Sequence, residues 1–564
     1  KVLTIKFKSN VTDKEIASFE TTHRLKMLRR AATGFIDYEI APVQDIVVLH
    51  DELKGVEVIE AIQLNYLGNW YFQPNDPLVS LQWYLDKIQA FAAWDNSRGS
   101  QEIVVAVLDT GIDWSHPDFA GAIYSNSAEI PGNGLDDDDN GFVDDIHGWN
   151  FENNNSNIND LSGTQSFHGH GTRVSGIIGA QLNNSIGIAG IGGGIRIMPV
   201  KVGSEGPLSS IVDDAILYAA QNGAKIINMS FGWQSVVEDN PANAAIDAAI
   251  TMAKEQYGCL LIAASGHSSS SNVHYPARHD LVLSVGGSTK DDLRPTQSDY
   301  GNKLKIAAPY EQIISTNVGG GYSQLFSYQA QGTSLSCAIV SGVAALILSK
   351  YPCLTPDQVT ACLLQTADKV GGYDYNRNGR AGHSWEMGYG RVNAEAAIKY
   401  VENGLFANSS DYSTVTYFTN ATISGISQPS GHIVINPGVT LTITGELRMM
   451  TNATIVVKRG ARLIVDGGKI TRRLCFSRWA GIFVEGNSSV LQPVNPASSL
   501  SPNGPGVVWL KNNALIEYAH NAITTTRRHE AWNAAYWGGL VVAENATFYN
   551  NRRSVEFMKY DHSN

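Results

Sequence analysis

The sequence predicts a multidomain chain. A small α+β unit covers residues 1–68, an α/β domain with a parallel sheet covers 81–404, and an all-β part covers 405–564. Three observations predict this. The first 68 residues alternate strand and helix patterns in the order β-α-β-β-α-β. The run 103–108 (IVVAVL) is continuously apolar and β-branched, as in a strand buried on both faces of a parallel sheet, and strand and helix patterns alternate after it. Residues 431–468 repeat themselves at an interval of 22.

Composition sets the outer limits. At 564 residues, with 43% hydrophobic and 17% charged side chains, the chain has ample material for several cores. The net charge of −12 is unevenly spread. Residues 1–68 carry 9 basic and 10 acidic side chains, 69–404 carry 18 and 34, and 405–564 carry 14 and 9. No dense Lys/Arg run interleaved with aromatics argues for a nucleic-acid partner. No 18-residue apolar run is present, which argues against a membrane span. The chain begins Lys1-Val2-Leu3 without a methionine or a signal sequence, and so reads as processed or truncated. Five cysteines make no disulfide framework. Cys353 and Cys362 flank a Thr355-Pro356 helix start and are candidates to pair, whereas Cys259 and Cys337 sit in apolar runs and read as buried thiols.

In the first unit, residues 2–7 alternate as a strand and 13–24 read as a helix with Thr12 as N-cap. Strands fit 34–40 and 56–62, with a helix within 43–53. This is the order of a ferredoxin-like unit. Residues 69–80 read as a linker with the processing region, its boundary marked by Pro74 and Pro77.

Three residues of the α/β domain fall where such folds place their chemistry. Asp109 ends the strand run 103–108, at the carboxyl end where open α/β sheets carry their sites. His170 opens a helix rich in small residues. Ser334, in Gly332-Thr333-Ser334, opens the long apolar run 338–348, so it stands at a helix N-terminus where unpaired N–H groups favour negative charge. Any one of these is ordinary as a cap or a helix start. Together, Asp, His and Ser can form a nucleophilic site. His170 takes the proton of Ser334, Asp109 orients the imidazole, and the Ser334 N–H helps hold an oxyanion.

The blocks VLDTGID at Asp109, HGTRVSG at His170 and GTSLSCA at Ser334 resemble the signature blocks of the subtilase (subtilisin-like serine protease) family. The resemblance covers residues 77–404 and the segment before them, and His170 and Ser334 lie 164 residues apart, as in a compact member. It implies several further assignments. Residues 1–68 would be an inhibitory, chaperone-like prodomain whose substrate-like tail lies near Asn65-Tyr66-Leu67. Ser230, Phe231 and Gly232 would pair with an extended peptide, and Ala264, Ser265 and Gly266 would line the pocket for the residue before the scissile bond. His267 stands where the family has the asparagine that donates to the oxyanion, and Ala338 stands where it has a proline. Losing such a donor costs about 10²–10³ in turnover. A histidine can donate from a ring nitrogen, but its tautomer decides whether it does. Alanine is a good helix former, so the second departure is tolerable.

Other patterns are more open. In the loop 133–145 (NGLDDDDNGFVDD), Asp136, Asp138, Asn140 and Gly141 match the first half of a calcium loop. The bidentate acid of the twelfth position is absent, with His147 in its place, so Asp144 or Asp145 would substitute. A solvated acidic loop is the alternative. The stretch Asp374 to Gly379 repeats the spacing with fewer charges and fits an Asx-rich turn equally well. His116 reads as structural, and His168 lacks the Gly-Thr that follows His170. Residues 195–202, 225–229 and 259–264 read as buried strands, and 209–222 as a helix capped by Ser209.

In the tail, Gly438, Leu441, Ile443 and Gly445 recur as Gly460, Leu463, Val465 and Gly467. Residues 481–490, 507–516 and 540–549 continue the pattern less strictly. A parallel β-solenoid is the expectation and a β-sandwich the alternative. Arg472, Arg473 and Arg478 are a candidate patch for a glycan or anionic surface, or part of a solvated face. The expected function is a secreted serine endopeptidase zymogen acting on protein or peptide substrates, with structural calcium and its own prodomain as inhibitor. The alternatives are an impaired subtilase that binds a peptide or glycan, and a solenoid adhesin with a dead protease.

Overall fold

The computed structural model describes residues 2–40, 46–65, 72–160, 168–234, 244–324, 327, 330–405, 413–473, 477–490, 492, 501–527 and 533–558. Contacts divide the chain into two compact units, Lys1–Tyr71 and Phe72–Asn564. Of the tail expected near Asn65-Tyr66-Leu67, only Asn65 lies within the described residues.

In the first unit, strands Val2–Phe7, Leu25–Arg30, Phe35–Ile40 and Ile59–Leu64 form one antiparallel sheet, with Val2–Phe7 between Phe35–Ile40 and Ile59–Leu64 and with Leu25–Arg30 at an edge. Helices Asp13–His23 and Ile46–Leu53 supply the other layer. Alternation in the strands sends Leu3, Ile5, Ile36 and Tyr38 into a core shared with Ile16, Leu49 and Leu53. Thr12 and Glu15 close a reciprocal capping box on the first helix, satisfying N–H groups that a helix start leaves unpaired.

The second unit opens with the α/β domain. Seven parallel strands lie in the order Ile306–Pro309, Leu283–Ser288, Leu260–Ala264, Ile226–Met229, Val104–Asp109, Arg196–Lys201, Trp149–Asn150. Val104–Asp109 is buried on both sides. Val105 and Val107 pack in one core with Val174, Ile177 and Ile339, while Ala106 and Leu108 pack in the other with Ile216 and Ile250. That two-sided burial is why the run shows no polar alternation. Helices His170–Gly179 and Thr333–Lys350 cover the first face, and Val212–Gln221 and Ala244–Glu255 the second. Thr333–Lys350 is apolar nearly all round because it runs through the core. By length and composition it could cross a membrane, but it is mostly buried inside the domain.

Two expectations are corrected here. The helix expected from Ser209 begins at Val212, and Ile211 at its start offers no side-chain cap. Leu208 instead closes a turn with the Ile211 N–H, which displaces the start by three residues. Cys362 does not pair with Cys353. It is a free thiol buried in helix Pro356–Gln365, and burial pushes its pKa up to about 12, while Cys353 is disulfide-bonded elsewhere.

In the C-terminal part, three parallel sheets collect strands in rotation. One stacks Thr414–Tyr417, His432–Ile435, Thr454–Val457, Trp479–Val484, Ala519–Thr524 and Arg553–Glu556, and two further sheets of five strands stack beside it. The 22-residue repeat is a stacking register: Leu441 pairs with Leu463 and Ile443 with Val465, all fully buried. The next turn breaks the interval, because residues 485–506 intervene before Val507–Lys511 takes its place against Arg462–Asp466.

Candidate active site

Asp109 is the last residue of the central strand and is almost fully buried. Its Oδ1 accepts from the Thr110 N–H (2.8 Å) and lies 2.7 Å from His170 Nδ1. With Nδ1 engaged, Nε2 is the nitrogen left for a reacting group. His170 opens its helix after Gly169, which takes the left-handed conformation (φ 75°). Gly171 has a stronger requirement. A Cβ there would lie 2.1 Å from the Gly111 carbonyl oxygen and 3.1 Å from Asp109 Cβ. The strand end and the helix start therefore meet backbone to backbone, and the Gly171 N–H donates to Thr110 Oγ1 (2.9 Å). Gly171→Ala is expected to cost about 3 kcal/mol or more of stability by forcing these elements apart. Chemical unfolding against the parent checks this, and a loss under 1 kcal/mol would count against the packing described.

Beneath this contact lies Asp160, an acid the sequence did not single out. Its Oδ2 accepts from the Thr172 N–H (2.9 Å) and Oγ1 (2.8 Å), and burial raises its pKa. No local pattern marks it, since its partners come from the helix that His170 opens.

Ser334 is the second residue of helix Thr333–Lys350, so its N–H has no partner within the helix. Its Oγ donates to the Ser230 carbonyl (2.9 Å), and Ser230 Oγ donates in return to the Ser334 carbonyl (2.9 Å). Asn228 extends the link. Its amide donates to Ser230 Oγ (3.0 Å), and its Oδ1 accepts from Ser341 Oγ (3.0 Å) and Cys337 Sγ (3.2 Å). This buried relay ties the nucleophile-bearing helix to the end of strand Ile226–Met229. Burial pushes the Cys337 thiol up to about 12, so it stays protonated at neutral pH.

A cavity of about 420 Å³ brings these groups together. Asp109, His170 and Ser334 line it, with Ser230, Phe231 and Gly232 along one segment and Ala264, Gly266 and His267 along another. Ser265 is the exception among the residues expected to line a pocket, because its hydroxyl turns inward to the Asp299 carbonyl (3.2 Å). His274 also lines the cavity and was not singled out in the sequence. Ala338 is buried within its helix.

His267 is half-buried, and burial lowers its pKa, which favours the neutral ring. It stacks on Tyr310, whose hydroxyl lies 2.7 Å from Nδ1 and 3.2 Å from Nε2. The same hydroxyl reaches Gln297 Oε1 at 3.1 Å. If Tyr310 gives its proton to Gln297, it accepts from Nδ1–H and leaves Nε2 bare. If it gives the proton to Nδ1, the ring's own N–H is on Nε2, 3.2 Å from the same hydroxyl. The tautomer therefore decides what His267 offers the cavity.

The acidic loop folds around a side chain outside its own pattern. Carboxylate oxygens of Glu129, Asp138 and Asp145 lie within 4.8 Å of one another. Asp136 instead accepts from the Asn140 and Gly141 N–H groups, and Asp144 from those of Gly132 and Gly134. Asn140 donates to Asp145 Oδ2 (3.2 Å). Of the five residues expected as ligands, two thus belong to the cluster, and Glu129 completes it. Three clustered carboxylates are a donor set that suits a hard cation. At the second stretch, Asp374 Oδ1 accepts from the Asn376 N–H (2.9 Å), an Asx turn. His116 is structural, its Nδ1 accepting from the Asp118 N–H and its Nε2 lying 2.9 Å from the Gly321 carbonyl.

The profile described as the subtilase family matches residues 100–390, about half of the chain. The chain belongs to the subtilase family. Thermitase of Thermoactinomyces vulgaris is 32% identical over 58% of this chain and 100% of that protein. Thermophilic serine proteinase of Bacillus sp. (strain AK1) is 30% identical over 64% of this chain and 78% of that protein. Subtilisin BL of Lederbergia lenta is 32% identical over 57% and 99%. Of the two positions at which the sequence was expected to depart from this family, His267 lines the cavity and Ala338 is buried in helix Thr333–Lys350. Homology of this kind supports a serine peptidase acting on protein or peptide substrates.

Proposed function

We propose that this subtilase is a secreted serine endopeptidase made as a zymogen, with Ser334, His170 and Asp109 as its triad. The 2.7 Å contact between His170 Nδ1 and Asp109, on the cavity that also holds Ser334, carries this reading. Asp109 fixes the tautomer, so Nε2 is the base. Ser334 Oγ exchanges its bond to the Ser230 carbonyl for one to Nε2 and attacks the peptide carbon. The proton passes to His170, which returns it to the leaving amine, and water then cleaves the acyl-enzyme by the same steps. The Ser334 N–H and His267 face the oxyanion. Residues 230–232 hold the peptide as an added strand, and the segment 264–266 lines the pocket for the residue before the scissile bond.

The first 68 residues act as a ferredoxin-like prodomain that inhibits the cleft, and the C-terminal part is a β-solenoid. Glu129, Asp138 and Asp145 would hold structural calcium, which neutralises carboxylates that otherwise repel. A ligand present at 100 times its Kd stabilises by about 2.7 kcal/mol. Saturating chelator is therefore expected to lower the Tm by about 3–5 °C, read by differential scanning. An unchanged Tm would remove calcium from the account.

Two contacts favour a second reading, a catalytically impaired subtilase that holds peptides. The Ser334 hydroxyl is engaged by Ser230, and His267 is held by Tyr310. Intact mass followed over time separates the two readings. Shedding of a fragment ending within residues 60–80 by the parent, and not by Ser334→Ala, supports the peptidase. Full-length chains in both favour the impaired form.

A further inference from the structure

The C-terminal part carries a basic corner that the peptidase reading does not use. Each circuit of the chain turns there from the sheet of Lys469–Arg472, Ala514–Glu517 and Ala546–Tyr549 into the sheet of Trp479–Val484, Ala519–Thr524 and Arg553–Glu556. The register stacks the turns on one another, since Arg472 pairs with Met449 and Tyr549 with Glu517. Backbone bonds tie them together. The Arg473 N–H donates to the Met449 carbonyl (2.7 Å), that of Tyr518 to the Tyr549 carbonyl (3.2 Å), and that of Arg552 to the Ala519 carbonyl (3.0 Å). Side chains from three successive circuits are thereby held one above the next, about 4.8 Å apart.

Arginines gather at this corner. The Arg472 guanidinium lies 3.6 Å from the centre of the Tyr518 ring, which holds it in place. Arg478 Nη1 donates to the Asn550 carbonyl. Burial lowers the His520 pKa, and the charges of Arg478 and Arg552 lower it further, so both cations lie near that ring. Arg473 and Arg552 are exposed. Among the described residues, none of these four arginines forms an ion pair. The carboxylates on the same turns are already engaged, Glu517 by Lys469 (2.7 Å) and Thr471 (2.8 Å), and Glu556 by Arg553 (2.7 Å). One residue of the corner is also strained. Tyr518 takes the left-handed conformation (φ 58°), where the next circuit has Asn550 (φ 50°). Asparagine tolerates that backbone better than an aromatic residue does, so the ring is kept there at a local cost.

We propose that this corner binds a linear carboxylated polysaccharide, a chain of uronic-acid units laid along the stack of circuits. A guanidinium fork matches a carboxylate through two parallel bonds, and circuits that repeat at a fixed rise present such forks to successive units. Tyr549, exposed beside Tyr518, offers its ring to the apolar face of a sugar. The two tyrosines meet edge to face (6.1 Å, 84°), so they give no run of parallel platforms on which nucleic-acid bases would stack. The inference does not depend on the reading of Ser334 as nucleophile.

Calorimetry on the full-length chain tests it, with an oligogalacturonate, its methyl ester and a single-stranded oligonucleotide of equal charge as probes. The acid is expected to bind, the ester to bind about tenfold or more weakly, and the oligonucleotide to bind more weakly than the acid. In the double variant Arg473→Gln, Arg552→Gln, both at exposed side chains, the Kd for the acid is expected to rise about tenfold or more. Arg553→Gln, at an arginine that pairs with Glu556, is expected to leave that Kd unchanged. No binding of the acid, equal binding of the ester, or a Kd unmoved in the double variant overturns the inference. A loss in Arg553→Gln as large as that in the double variant also overturns it, since diffuse charge would then explain binding. An oligonucleotide bound as tightly as the acid overturns it in favour of a nucleic-acid surface. Should the double variant fail to fold, Arg473→Gln alone supplies the comparison, because its side chain reaches only Met450 Sδ (3.5 Å) among the described residues.

Discussion

Ser334→Ala is expected to lower peptide turnover by about 10⁴-fold or more, with little change in KM. The substitution removes the attacking oxygen and one hydrogen bond to the Ser230 carbonyl. Such a bond is worth about 1 kcal/mol, so the fold should survive, and the relay through Asn228, Ser230 and Ser341 stays in place. Cys337 cannot take over, since it is fully buried and bonded to Asn228. Steady-state rates on one peptide amide, parent against variant, check this. Equal rates would mean that Ser334 is not the nucleophile.

His267→Asn is expected to raise kcat by about 10²-fold. Removing the amide donor of an oxyanion hole costs about 10²–10³, and on the proposed reading His267 stands in for that donor only in the tautomer that carries its N–H on Nε2. That tautomer requires the Tyr310 hydroxyl to give its proton to Nδ1, in competition with Gln297. An asparagine amide donates without that choice. A matching gain in kcat/KM at unchanged KM would place the effect in the transition state. Unchanged or lower turnover would show that His267 already serves as the donor.

Much of the site could be read from the sequence because its three central residues sit at element boundaries. Asp109 closes a strand whose two-sided burial makes an unbroken apolar run, and His170 and Ser334 open helices. The pattern did not reach residues whose roles depend on distant partners. Glu129 joins Asp138 and Asp145 only because the loop folds back on it. His274 reaches the cavity through backbone bonds to Ser265 and between Tyr275 and Trp233. Ser265 is in the expected segment, but strand geometry turns its side chain away from the cavity. The same division holds in the fold. The 22-residue interval was visible because Leu441 and Ile443 stack in register on Leu463 and Val465, and it faded where residues 485–506 intervene. Strand Leu25–Arg30 (LKMLRR) shows no alternation because it lies at a sheet edge with only Leu25 buried. The cysteine pairing failed because proximity along the chain says nothing about the thiol that helix Pro356–Gln365 buries.

The central claim is that His170, oriented by Asp109, activates Ser334. A fluorophosphonate reacts with a serine activated in this way, and the modified residue can be located by peptide mass mapping. One adduct on Ser334, lost in His170→Ala, is the predicted result. An adduct on another residue, or labelling of Ser334 that persists without His170, would contradict the account.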